Sequence, residues 1–214
     1  FSSTAAGAWL LLDRARRRRE VPVVLCVDVE PDLRVFDRSD PRPWSGFERF
    51  VERLPSLRER ISGIAGTPVA LTWFLRMDPQ VAETWGSPTW VAEAYRDALA
   101  GLVADGDELG LHTHTWRWDE GVGTWIADFE DEGWAEHCLA MGLEAFESAF
   151  GRPCLAHRSG DRFLCGSMLS RLSRAGVKVD FTIEPGWPAG PPSGEGLAAG
   201  TLPDYRSVPL RPYR

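Results

Sequence analysis

Val21-Pro22-Val23-Val24-Leu25-Cys26-Val27 is a valine-rich apolar run, and it closes on Asp28-Val29-Glu30. A run of this length and composition reads as a β-strand buried on both faces, the pattern of a parallel sheet. Residues two apart on a strand project to one face, so Asp28 and Glu30 leave the strand end in the same direction. Glu108-Leu109-Gly110-Leu111-His112-Thr113-His114 repeats the device with imidazoles. There Leu109, Leu111 and Thr113 form one side, and Gly110, His112 and His114 the other. Two carboxylates and two imidazoles are the raw material of a divalent-metal site with a base to spare. They make one site if the two strand ends lie side by side.

Outward from these two stretches, helical and strand signals alternate. Trp9 to Arg19 reads as a helix. A stripe from Phe47 to Ile64 is a second helix, expected to break or kink at Pro55. Pro68 to Phe74 is a second buried strand, and Val91 to Leu102 a third helix. Trp116 to Glu130 reads as loop. A helix from Trp134 to Phe150 stops at Gly151 and Pro153. Cys154 to His157, a helix over Leu164 to Leu172, and Val177 to Ile183 follow, with Ser207 to Leu210 as a last candidate strand. This alternation predicts an α/β fold whose parallel strands are joined by right-handed crossovers. Functional residues then collect at the C-terminal strand ends. Asp28, Arg76, Asp78, His112, His114, Arg158 and Asp161 all fall there, which argues for an enzyme.

The 214 residues, 43% of them hydrophobic, are enough for one sizeable core. A net charge of −7 excludes a general nucleic-acid binder. The basic cluster of Arg14 and Arg16 to Arg19 reads as a solvated face of the N-terminal helix or a local interaction patch on it. No apolar stretch approaches the roughly 20 residues that span a bilayer. Ala8 to Leu12 is too short for a signal peptide, and its arginines follow instead of preceding it. The four cysteines lack CxxC spacing and read as buried reduced thiols of a cytoplasmic protein, with a Cys154–Cys165 bridge left open.

Two imidazoles and a carboxylate suit zinc, or Co, Ni, Mn or Fe, with positions left for water and substrate. Such a metal lowers the pKa of bound water and polarises a carbonyl. The second carboxylate would serve as general base. Arg158, within His157-Arg158-Ser159-Gly160-Asp161, can hold a catalytic carboxylate by charge-assisted hydrogen bonds. His157 points the other way on the strand and reads as core, and His137 as solvated. Trp116, Trp118 and Trp125 offer aromatic faces that suit sugar rings, or simply cover the end of the sheet.

These motifs, in this order, resemble the polysaccharide deacetylases of the NodB-homology type, carbohydrate esterase family 4. Val27-Asp28-Val29-Glu30 is similar to the family's first motif, Glu108 to His114 to the second, His157 to Asp161 to the third, and Val179-Asp180-Phe181-Thr182 to the fourth. The resemblance covers about Val21 to Ile183. It implies a distorted (β/α)-barrel of parallel strands with fewer than eight full repeats, spanning 21–214 behind an N-terminal helical extension over 1–20. It implies a metal-dependent hydrolase that removes an N-acetyl group from a carbohydrate by metal-bound water. Asp28 would then be the base, Arg158 its brace and Asp180 the support of Arg158, with Glu30, His112 and His114 on the metal, zinc first. Trp116, Trp118 and Asp161 would meet the substrate, an N-acetylated sugar or a lipid-linked glycan. The family pattern has two histidines four residues apart, where this chain has His112 and Trp116, and it ends on a histidine of which no counterpart follows His157. The native protein is accordingly expected to extend beyond Arg214. Two alternatives stand beside this reading. One is a degenerate relative that binds glycan without turnover, and the other an amidohydrolase-type barrel acting on a small amide.

Overall fold

The computed structural model describes residues 23–191 and 196–211. The N-terminal helix expected over Trp9 to Arg19 lies outside them. Five strands form one parallel sheet in the order β1 (Leu25–Val29), β2 (Leu71–Arg76), β3 (Glu108–Thr113), β6 (Ala156–Ser159) and β7 (Val179–Asp180). Helices α1 (Ser45–Ala65), α2 (Pro79–Trp85), α3 (Trp90–Ala94), α4 (Arg96–Ala104), α5 (Glu132–Phe150) and α6 (Gly166–Arg174) connect them. The α/β architecture with a parallel central sheet is the expected one.

Several boundaries differ from the sequence reading. The first strand starts at Leu25, and Val23 and Val24 before it are exposed. Helix α1 runs through Pro55, which sits on its exposed side, where water can take the carbonyl that proline leaves unbonded. The third expected helix divides at Tyr95 into α3 and α4. Helix α2 was not foreseen, although Asp78 caps it through the Val81 N–H at 3.2 Å and Pro79 occupies its first turn.

The stretch read as loop after the histidines is a hairpin, β4 (Trp116–Asp119) and β5 (Thr124–Asp128). Trp118 and Trp125 pair across it with ring centroids 5.4 Å apart, and Asp119 closes the turn by accepting from Gly121 and Val122. Its third strand is β8 (Leu197–Ala199), parallel to β5, while Ser207 to Leu210 is irregular. All four cysteines are free.

The parity of the parallel sheet divides the chemistry. Trp73, Leu75, Leu109 and Leu111 are buried in the main core. On the opposite face, Arg76, His112 and Arg158 stand in one row across β2, β3 and β6. Gly110 belongs to that face and needs to lack a side chain. A Cβ there would come within 2.8 Å of both the Phe74 ring and the Ala156 carbonyl.

At the other end of the sheet, buried Asp107 locks the start of β3. It accepts from Arg58 at 2.6 and 2.8 Å, from the Leu71 N–H at 2.9 Å and from the Trp73 indole at 2.8 Å. Burial opposes its ionisation, but Arg58 and these donors prevail and hold its pKa below the usual carboxylate value. Asp107→Ala strands these partners and should lower the unfolding free energy by about 3 kcal/mol in urea titration. Because the folded pKa is depressed, this contribution is present above the unfolded carboxylate pKa of about 4 and is lost as pH falls below it. The variant should therefore lose less stability than the parent on acidification.

Candidate metal centre

Glu30 lies one residue beyond β1, His112 in the last turn of the β3 ladder and His114 just past its end. One ligand atom from each falls within 4.8 Å of the others. His112 Nδ1 is 2.7 Å from the Arg158 carbonyl, an acceptor only, so that nitrogen carries the proton and Nε2 is left with a free lone pair. His114 repeats the arrangement, with Nδ1 3.0 Å from an Asp161 carboxylate oxygen. The Trp116 indole N–H is 3.1 Å from the same Nδ1, and an ionised Asp161 has the stronger claim on it.

Both Nε2 atoms therefore face one point together with Glu30 Oε2. The separations are 3.0 Å between the two nitrogens, 3.1 Å from His114 to Glu30 and 3.8 Å from His112 to Glu30. Ligand atoms at roughly 2.0–2.1 Å from a tetrahedral zinc stand about 3.3 Å apart, so this donor set fits a divalent ion in both chemistry and spacing. Three converging lone pairs repel unless a cation or a proton joins them.

In the protein alone a proton does so. Burial and Arg76 push the His114 pKa down, but Asp161 and Glu30 outweigh them and raise it to about 9. Burial likewise opposes ionisation of Glu30 and Asp161. The neighbouring imidazoles of His112 and His114 at Glu30, and His114 and Arg34 at Asp161, keep both far below the usual carboxylate range.

Asp28 stands beside the trio. Its Oδ2 is 3.3 Å from Arg158 Nε, while its Oδ1 is screened from solvent and has no hydrogen-bond partner among the described residues. These groups line a cavity of about 230 Å³ with Arg34, Arg162 and Glu184. Asp28, Glu30, His112, His114 and Arg158 are thus brought together.

Of the remaining expected site residues, Asp180 and Trp116 are placed differently. Asp180 was to support Arg158, but β7 pairs it with His157, which projects to the opposite face of β6. It binds His157 Nδ1 at 2.7 Å, and His157 Nε2 reaches Thr113 at 3.1 Å. The carboxylate on Arg158 is instead Glu184, at 3.2 Å. Trp116 is fully buried, stacked under Arg34, and offers no open face to a sugar. Trp118 is half-buried with Arg38 over its ring at 4.7 Å. Asp161 lines the same cavity, with its carboxylate turned onto His114 and Arg34.

Arg34 and Glu184 were missed, since both lie in irregular segments with no motif around them. Arg76 and Asp78 were noted only as strand-end residues. Arg76 is buried and binds Asp78 at 2.8 Å, Gln80, and Glu30 at 3.5 Å. Asp78 in turn accepts the His114 backbone N–H at 3.0 Å.

No protein-family model matches the chain, and no curated protein matches it. Among solved structures it is similar to a mutant, with restored enzymatic activity, of BA3943, a family 4 pseudoenzyme from Bacillus anthracis. The identity is 12%, the TM-score 0.44, and the match covers 74% of this chain and 43% of that one. It is similar to the family 4 carbohydrate esterase from Streptomyces lividans in complex with acetate, at 13% identity and TM-score 0.41, covering 73% and 60%. It is also similar to the peptidoglycan deacetylase PdaC from Bacillus subtilis, at 14% identity and TM-score 0.40, covering 73% and 55%. The chain spans between 43% and 60% of the length of these three structures. Values this low carry no activity across to this chain, so function has to be argued from the site. No helix among the described residues is long and apolar enough to cross a membrane.

Added zinc should raise the melting temperature of the protein. At a concentration 100 times its Kd, binding to the native state contributes about 2.7 kcal/mol. Glu30→Gln and His112→Ala should each abolish most of that shift in thermal unfolding, and Asp107→Ala should leave it intact.

Proposed function

We propose that this chain is a divergent deacetylase of the NodB-homology type, a hydrolase that removes an N-acetyl group from a carbohydrate. Glu30, His112 and His114 would hold a divalent ion, zinc first. The observation that carries the reading is one arrangement: three converging ligand atoms beside a carboxylate braced on one oxygen and free on the other. When bound, the ion would lower the pKa of water and polarise the acetyl carbonyl.

The chain's own residues supply the remaining steps. Arg158 holds Asp28 Oδ2 and so orients the carboxylate, which would take a proton from the attacking water. As the C–N bond breaks, the amine needs a proton. Among the described residues neither remaining histidine can give one, because His137 is exposed on α5 and His157 is enclosed on the far face of the sheet. Asp28, having just gained a proton, is the group in place to return it. Glu184 holds the outer side of Arg158 and so preserves its aim.

The cavity of about 230 Å³ is smaller than the roughly 300–1,000 Å³ of drug-sized pockets, which suits the acetamido end of a sugar instead of a long stretch of polymer. That size goes with a small or lipid-linked substrate.

A second reading, glycan binding without turnover, is favoured by the histidine pattern. The ring four residues beyond His112 is the indole of Trp116, and His114 takes the ligand role instead. Acetate release separates the two. Zinc-loaded protein should release acetate from N-acetylhexosamine substrates, and Asp28→Asn should lower kcat by about 10²–10⁴-fold with little change in zinc affinity by calorimetry. Zinc-loaded protein that binds glycan and releases no acetate would overturn the hydrolase reading in favour of the second.

A further inference from the structure

His114 lies beyond the end of β3, so the sheet ladder does not fix its ring. We propose that Gly160 and Asp161, with Arg34 clamping the carboxylate, form a cradle that aims the His114 Nε2 lone pair at the metal. The proposal rests on the reading of Glu30, His112 and His114 as ligands. It assigns Gly160, Asp161 and Arg34 the part of positioning residues.

Three independent features converge on the ring. First, Gly160 is not in the left-handed backbone region, so its conformation does not call for glycine. The missing side chain matters because a Cβ at 160 would stand only 2.2–2.4 Å from the His114 ring atoms Cε1, Nε2 and Cδ2. Second, Asp161 and Arg162 are the two non-glycine residues with positive φ among those described, at 54° and 60°. Such backbone persists only where the surroundings over-determine it, and it recurs at functional sites. Its effect here is to turn the Asp161 carboxylate inward, 2% exposed, with Oδ2 3.0 Å from His114 Nδ1. Third, Arg34 arrives from the loop after β1 and binds the other oxygen, Oδ1.

A carboxylate on the distal nitrogen of a ligating histidine fixes its tautomer and ring plane and raises its basicity. In this chain that function falls to Asp161. It holds an imidazole that the strand itself leaves free to rotate.

Cobalt(II) binding tests the cradle without any substrate. Affinity and the visible d–d absorption would be measured for the parent, Asp161→Asn, Gly160→Ala and Arg34→Met, with circular dichroism to confirm folding of each metal-free variant. Asp161→Asn should bind cobalt about 10–100-fold more weakly and with an altered absorption band. Gly160→Ala should lose at least as much, and Arg34→Met should shift in the same direction by a smaller factor. If Gly160→Ala does not fold, the two other variants still decide the question, since Arg34 is partly exposed and Asn tolerates the left-handed backbone. Parent protein that binds cobalt while Asp161→Asn and Arg34→Met bind it equally well, with unchanged spectra, would overturn the cradle and leave the metal site standing. Parent protein that binds no cobalt would overturn the metal site and the cradle together.

Discussion

Arg76 is a cation with almost no contact with water, placed directly beneath three prospective metal ligands. A buried guanidinium is tolerated only when its donors are matched by acceptors of suitable charge. Asp78, Gln80 and Glu30 supply them. The match has structural consequences beyond charge balance. Asp78 caps α2 and holds the His114 backbone, so neutralising Arg76 also sets where the chain leaves β3. Glu30 is drawn toward the same cation, which brings the end of β1 to the histidines. Removing Asp78 would expose several faults at once: an uncompensated charge, an uncapped helix and a loose ligand loop.

A second constraint is the parity of parallel strands. Arg76, His112 and Arg158 share a row and therefore a face, while His157 and Asp180 share the neighbouring row and the opposite face. One residue of register decides that Arg158 serves the cavity and that Asp180 cannot reach it. His157 is held by Asp180 and Thr113 within the sheet, a polar bridge across β3, β6 and β7. The bridge steadies the strand from which Arg158 projects. Glu184, beyond β7, is what meets Arg158 on the cavity side.

Much of this was legible in the order of residues. Valine-rich runs and helical stripes located the sheet strands, and i, i+2 spacing placed Asp28 with Glu30 and His112 with the position of His114. Those signals are local, since period two and period 3.6 are properties of a few consecutive residues. The β4–β5 hairpin escaped because its alternation is carried by tryptophans at Trp116, Trp118 and Trp125, with charged residues between them. Helix α2 escaped because seven residues are too few to display a stripe, although Asp78-Pro79 is a helix start.

By itself the sequence determined an α/β parallel sheet, two acids at one strand end and two imidazoles at another, because strand geometry follows from nearest neighbours along the chain. Tertiary structure alone decided which groups meet. His114 is aimed by Asp161, Arg158 is met by Glu184, and Trp116 is sealed in the interior where a sugar cannot touch it. Each of these contacts joins segments brought together by strand order, strand register or irregular loops. A one-residue shift in register exchanges the two faces of a strand. Spacing along the chain cannot report that exchange; only the packed sheet can.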